Sequence, residues 1–202
     1  MGYYIRVLSP SAKRPPFAAI RKAIKDKKLS AKLKVESGRP DKWEQLLLSH
    51  ETGEEIALIE ANHVARGSLG EDEVSEFLEC AKEGRPASAA KWLGKYLPRV
   101  KMVYALQLLE GKNRKNGWAA IDVVQSFLHS HGGGICQADY EGFSNEDGFH
   151  ILWEYDEGVK GKRWMGLLLD GEWVHFQMDL GNKNHRAAFL KGKLPAGVKL
   201  KK

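Results

Sequence analysis

The sequence has few cysteines, no long apolar run and no secretory signal. Cys80 and Cys136 are its only cysteines. Two thiols cannot form a disulfide framework, so we expect both to be reduced. No stretch approaches the roughly 18 consecutive apolar residues of a membrane span, and the first residues lack a basic segment followed by an apolar one. These absences predict a soluble protein of the cytoplasm with no membrane partner.

Signatures of cofactors and metals are also lacking. The sequence contains neither a P-loop nor a Gly-x-Ser-x-Gly elbow. His129, His131 and Cys136 are close in sequence, but a structural zinc site needs a second pair of ligands, which is missing. The three glycines that begin at Gly132 follow a predicted helix, whereas phosphate loops precede one, so we expect a helix C-cap and a turn. No cofactor and no metal site is predicted.

The composition is that of a folded protein with unevenly distributed charge. The 202 residues are 43% hydrophobic and 29% charged, which is typical of a globular domain. The net charge of +6 combines +8 within residues 1–50 with −7 within residues 51–90, and the alternation continues to the end of the chain. Alternating blocks are as compatible with self-association or internal charge pairing as with an acidic partner.

The predicted elements occur twice in the same order. Apolar periodicity and turn residues predict a strand, a helix and three strands at 3–8, from Phe17, and at 32–36, 43–50 and 55–60. The same criteria then predict a strand, a helix and four strands at 102–109, from Trp118, and at 135–141, 149–155, 163–169 and 172–179. Both helices open on an aromatic-Ala-Ala-Ile string. The repeated order indicates an internal duplication.

We therefore predict a single domain, 1–202, with pseudo-repeat 1 at 3–61, a helical insert at 68–97, pseudo-repeat 2 at 102–179 and a basic C-terminal tail at 191–202. Each half has strands with one apolar face and an amphipathic helix to cover it. This pattern predicts an α+β two-layer sandwich, a twisted, mainly antiparallel sheet with helices on one face, built from two strand-helix-three-strand repeats. An unduplicated mixed fold is the alternative.

Strand alternation in the second half gathers acids and imidazoles on one face of the predicted sheet. The candidate catalytic residues on that face are Asp139, Glu141, His150, Glu154 and His175, with Gln137, Gln177 and Asp179 beside them. Carboxylates and imidazoles that converge can transfer protons or bind a metal. A solvated sheet face explains the same pattern, because one face of an antiparallel sheet commonly meets water.

Three functions are compatible with these features. The preferred one is a non-catalytic binding or regulatory module for a protein or small-molecule ligand, which uses the sheet face or the groove between the two repeats. Its candidate ligand-binding residues are Trp43, Trp153, Trp164 and Trp173, although plain core explains each of them too. An enzyme that uses the acid and imidazole face is the first alternative. The second alternative is nucleic-acid binding through the basic first helix, with Arg21, Lys22, Lys25, Lys28, Lys32 and Lys34 as phosphate contacts.

Overall fold

The structure is a computed structural model that describes residues 2–156 and 158–201. Met1, Glu157 and Lys202 lie outside the described residues, and Lys202 belongs to the predicted basic tail. The strands are β1 Tyr3–Ser9, β2 Ala31–Arg39, β3 Lys42–His50, β4 Glu55–His63, β5 Met102–Leu108, β6 Ile135–Ala138, β7 Gly142–Ser144, β8 Lys162–Leu169, β9 Glu172–Asp179 and β10 Lys199–Leu200. The helices are α1 Phe17–Asp26, α2 Leu69–Lys82, α3 Ala87–Tyr96, α4 Gly117–Gly132 and α5 Lys183–Leu190.

The chain forms two compact units. The first comprises the residues up to Asp72 together with Val100–Gly134, and the second comprises Glu73–Arg99 together with the residues from Ile135 onward. The predicted α+β class with a large antiparallel sheet is confirmed, and a two-layer sandwich fits the packing. No helix within the described part of the chain is long and apolar enough to cross a membrane.

The first unit is an antiparallel sheet in the order β2-β3-β4-β5-β1. Its register aligns Ile5, Leu106 and Ile59 in one row, and all three are buried. Helices α1 and α4 contact each other and the sheet, and they bury Ile20 and Val124 in the same core. The sequence favours this arrangement because every second residue of a strand, but every third or fourth residue of a helix, must be apolar to line one core.

The second unit is built around the hairpin of β8 and β9, which β10 extends at one edge. Met165, Phe176 and Phe189 are completely buried in its core. Helix α5 supplies Phe189, and Asn182 caps this helix by accepting hydrogen bonds from the backbone N–H groups of residues 184 and 185. The described part of the predicted basic tail includes the paired strand β10.

The predicted strand at 149–155 does not form. Only His150 makes bridges, an antiparallel one to Ser144 and a parallel one to Met165. The neighbours Ile151 and Leu152 are both buried, so the side chains do not alternate between two faces. The backbone N–H of Trp153 then donates to the carbonyl of Arg85 at 2.9 Å. The chain thus leaves the strand direction soon after its bridge.

The internal duplication is not confirmed. The first half has three regular strands after its helix, at β2, β3 and β4, whereas the second half has the short pair β6 and β7, the bridged residue His150 and then the hairpin of β8 and β9. The segment predicted as pseudo-repeat 2 is also divided between the two units, because β5 and α4 belong to the first unit and β6 to β9 belong to the second.

Candidate functional site

A basic groove lies between α1 and β2 in the first unit. It is a concavity of about 690 Å3, and five of the six predicted phosphate-binding residues line it, namely Arg21, Lys22, Lys25, Lys32 and Lys34. Lys28 follows the helix in the left-handed backbone region, with φ of 53°. Because Ile20 and Ile24 of α1 face the core, the intervening cations are directed outward.

Few carboxylates balance the charge of the basic groove. Lys22 pairs with Asp26 at 2.5 Å and Lys34 pairs with Glu36 at 2.9 Å. Within the described residues, the remaining predicted cations form no ion pair with a carboxylate: Arg21, Lys25, Lys28 and Lys32. Exposed cations in one concavity attract anions, and water and salt screen them until an anion binds.

A second polar cluster surrounds His150 in the second unit. Nε2 of His150 lies 3.7 Å from Oε2 of Glu141, and Nη2 of Arg163 lies 2.9 Å from the same oxygen. Burial, reinforced by the Arg163 cation and opposed by Glu141, lowers the pKa of His150 from 6.5 to about 4. The imidazole is therefore neutral at pH 7 and can accept a proton only weakly. The ring of Tyr155 lies 5.6 Å away, centroid to centroid.

His175 occupies a different environment, on β9 and against the loop that connects β7 to β8. Its ring stacks on Phe149 with centroids 3.8 Å apart, and its Nε2 lies 3.1 Å from Nδ2 of Asn145. Oδ1 of Asn145 accepts hydrogen bonds from the backbone N–H groups of Asp147 and Phe149, so the amide nitrogen must face the imidazole. An amide N–H only donates, and Nε2 of His175 is therefore an unprotonated acceptor.

The structure places the two candidate histidines on opposite faces. His150 bridges Met165, whereas His175 pairs with Gly166, and consecutive strand residues point in opposite directions. The two histidines were expected on the same face of the sheet. They lie on different faces because the segment after β7 is not a regular strand, so its side chains do not alternate as predicted. Glu141 stays with His150, and His175 does not join them.

Asp139 and Glu154 form a third small group. Packing around the Glu154 carboxyl group and the neighbouring charge of Asp139 raise the pKa of Glu154, although the residue as a whole is exposed. Among the described residues, no group of three or more histidine, cysteine, aspartate or glutamate side chains has the arrangement of a metal site. Whether any of these residues is catalytic stays a prediction.

The four candidate tryptophans are distributed over the two units. Trp43 is completely buried in the first unit, where its Nε1 donates to the carbonyl of Pro15 at 2.8 Å. The other three lie in the second unit and are partly buried. Trp153 lies 5.1 Å from Tyr155, Trp164 packs against Phe149, and Trp173 packs edge-on against a tryptophan of α3.

Sequence reasoning missed Arg14, Asn145 and Arg163. Arg163 lies at the start of the predicted strand 163–169. It is two residues from the core residue Met165 and so lies on the same face of the strand, which is the signal that could have identified it. Asn145 lies in a polar loop without periodicity, and its role depends on a contact with a residue that is distant in sequence. Arg14 directly precedes two prolines, which restrict the backbone and mark a defined loop.

No protein-family model, curated protein or solved structure matches this chain.

Proposed function

We propose that the protein is a non-catalytic binding module that takes up nucleic acid through the basic groove. The observation that carries this proposal is the position of Arg21, Lys25 and Lys32 in one concavity with no carboxylate partner among the described residues. Lysine and arginine bind phosphates largely independently of base sequence, because each contact releases counterions from the nucleic acid. The groove thus supports recognition of the phosphate backbone.

The dimensions of the groove suit a few phosphates rather than a long duplex. Helix α1 has 10 residues and is therefore about 15 Å long. Phe17 lies under Arg21, with the guanidinium 5.6 Å from the ring centroid. The described residues that line the groove include no series of aromatic rings of the kind on which single strands stack. We therefore expect modest affinity with little sequence preference.

The cytoplasm is the proposed location. Cys80 and Cys136 are not in a disulfide in the structure, and reduced cysteines are usual in reducing compartments. Protein and small-molecule ligands stay alternatives to nucleic acid as the partner of this module.

Titration of labelled RNA and DNA, single- and double-stranded, tests the proposal by fluorescence anisotropy at several salt concentrations. If Arg21, Lys25, Lys28 and Lys32 each contact one phosphate, log K should fall with log salt with a slope of about −3.6 for duplex and about −2.8 for single strands. Replacing Arg21, Lys25 and Lys32 together by glutamine should make the duplex slope shallower by about 2.7.

A matched triple variant controls for net charge. Lys91, Lys95 and Lys199 are exposed and lie in the second unit, so their replacement by glutamine removes the same charge without touching the basic groove. This control should retain the wild-type slope. If both triple variants bind alike, or if the wild type does not bind even at low salt, the basic groove is not a nucleic-acid site.

A further inference from the structure

Arg14 is held in place by the loop between β1 and α1. Its Nη1 donates to the carbonyl of Trp43, and its guanidinium lies 5.7 Å from the centre of the Trp43 ring. The ring itself is fixed, because it is fully buried and donates to the carbonyl of Pro15. The Arg14 side chain donates to a carbonyl and packs one face against an indole. It has therefore lost much of its rotamer freedom before any ligand binds.

Hydrogen bonds fix the rest of this loop. The side chain of Ser9 donates to the carbonyl of Gly132 at 3.1 Å and accepts from the backbone N–H of Ser11 at 3.1 Å. The hydroxyl of Tyr104 donates to the carbonyl of Lys13 at 3.4 Å. The position of Arg14 is therefore set by the fold of the first unit rather than by a flexible surface segment.

The binding capacity of Arg14 is not used up by the protein. Its Nε is buried without a hydrogen-bond partner in the described residues, and no described carboxylate lies within ion-pairing distance. A buried donor without a partner costs free energy, and a guanidinium is shaped to bind a carboxylate or phosphate with two parallel hydrogen bonds. The guanidinium of Arg14 is therefore suited to bind an anion.

Two concavities meet at Arg14, and they carry opposite charge. Both are lined by Arg14, Glu44 and His63. The first, of about 480 Å3, adds Glu60 and therefore has two carboxylates for one guanidinium. The second, of about 620 Å3, adds Lys13, Lys42, Asp41 and His131.

The charge of Asp41 in the second concavity is shared with Arg39, at 3.3 Å, so positive charge dominates this end. At the other end, the Glu60 carboxylate accepts a hydrogen bond from the amide of Gln45 at 2.9 Å, which orients it without neutralising it. The cleft, defined as these two joined concavities, therefore has a positive end beside Lys13 and Lys42 and a negative end beside Glu60.

We propose that this cleft binds a small molecule that carries a carboxylate or phosphate at one end and an amino group at the other. The anionic group binds Arg14 and the neighbouring lysines, and the ammonium group binds Glu44 and Glu60. This charge pattern rejects large polyanions, because a second phosphate would meet the carboxylate end. The cleft is distinct from the basic groove, with which it shares no lining residue.

The test follows the imidazole signals of His63 and His131 by NMR in the full chain while probes are added. Phosphoethanolamine and β-alanine are the two-ended probes, with phosphate and carboxylate arms respectively. Ethyl phosphate, propionate and ethylamine are their one-ended counterparts. We expect saturable shifts of both histidines with a two-ended probe, about tenfold weaker binding of the one-ended probes, and a preference between the phosphate and carboxylate arms that identifies the anionic group.

Variants assign the binding to named side chains. Arg14→Met keeps an apolar stem beside Trp43 and should abolish the saturable shifts, whereas Arg14→Lys keeps the charge but lacks the planar fork and should weaken binding about tenfold. Glu60→Gln should remove the preference for two-ended probes. Arg21→Met, in the basic groove, is the matched control and should leave probe binding unchanged.

Two outcomes would overturn the proposal: histidine signals that do not respond to any probe at millimolar concentration, or Arg14→Lys and Glu60→Gln variants that titrate like the wild type. Because wild-type titration and the Arg14→Lys variant suffice, the test stands even if Arg14→Met does not fold. Failure of nucleic-acid binding at the basic groove would leave these readouts unaffected.

Discussion

Nε2 of His150 lies 3.7 Å from Oε2 of Glu141, yet the imidazole is harder to protonate than a free one. The reason is that only 16% of the His150 side chain is exposed and that Arg163 lies 2.9 Å from the same glutamate oxygen. The Arg163 guanidinium already forms an ion pair with the Glu141 carboxylate, and its positive charge disfavours a protonated His150. Burial and this cation together outweigh the attraction of Glu141.

The first prediction is that His150 makes the protein less stable in mild acid. The pKa is 6.5 in the unfolded chain and about 4 in the folded one, so the unfolded state binds the extra proton first. The stabilising contribution is complete above pH 6.5 and is lost as pH falls towards 4, by at most about 3 kcal/mol. Urea unfolding of wild type and His150→Gln between pH 7 and pH 4 measures this. His131→Gln, at an exposed position, is the control and should keep the wild-type slope, and an equally steep slope in His150→Gln would contradict the prediction.

The second prediction concerns the competition between Arg163 and His150 for Glu141. Replacing Arg163 by glutamine removes the repelling cation and one ionic partner of Glu141, so the pKa of His150 should rise from about 4 towards its ordinary value. NMR titration of the His150 ring measures this shift directly. Lys162→Gln removes a charge from the neighbouring exposed residue, whose side chain points to the other face, and should change the His150 pKa much less. An unchanged titration in Arg163→Gln would show that burial alone sets the value.

The third prediction uses the two groups that contact His175. Burial lowers the pKa of His175, Asp147 raises it and Lys201 lowers it further. In Asn145→Asp, one carboxylate oxygen can still accept the two backbone N–H groups while the other accepts a proton from Nε2. The pKa of His175 should therefore rise. Asp147→Asn should move the pKa in the opposite direction, because it removes a carboxylate 3.7 Å from Nε2. NMR titration measures both variants, and shifts of the same sign would contradict this account of the charges around His175.

The strands and helices that were predicted correctly from the sequence are those that bury one continuous face against a single core. The strand expected at 102–109 is observed at Met102–Leu108, and the strand expected at 172–179 is observed at Glu172–Asp179. Helix α1 begins at Phe17, as its aromatic-Ala-Ala-Ile string predicts. In each case a local period of apolar residues reflects contact with a single core.

The candidate sites depend on contacts that local periodicity does not encode. The alternation in 149–155 resembles a strand, but the backbone of Trp153 bonds to Arg85, far away in the sequence. The face on which the His150 side chain lies is therefore set by its bridge to Met165 and not by alternation along its own segment. The basic residues of the first helix were easier to place, because a helix with Ile20 and Ile24 buried must direct the residues between them outward.

The last prediction concerns the glycines that follow α4. Gly133 has φ of 64° and Gly134 has φ of 139°, so both adopt backbone conformations that are strained for other residues. They differ in space: a Cβ on Gly134 would lie 2.6 Å from the carbonyl oxygen of Leu8, whereas a Cβ on Gly133 would meet no atom within 4 Å. Gly133→Ala should therefore cost about 1 kcal/mol from backbone strain alone.

Gly134→Ala should cost more, about 2–4 kcal/mol, because the new methyl group must also displace backbone of β1, which is paired with β5. Urea unfolding monitored by circular dichroism compares the two variants at pH 7, where neither substitution changes the net charge. A larger loss in Gly134→Ala would show that the close approach to β1 requires a glycine at position 134, since the helix C-cap itself requires only Gly133. Equal losses of stability in the two variants would show that β1 moves away from the methyl group at little cost.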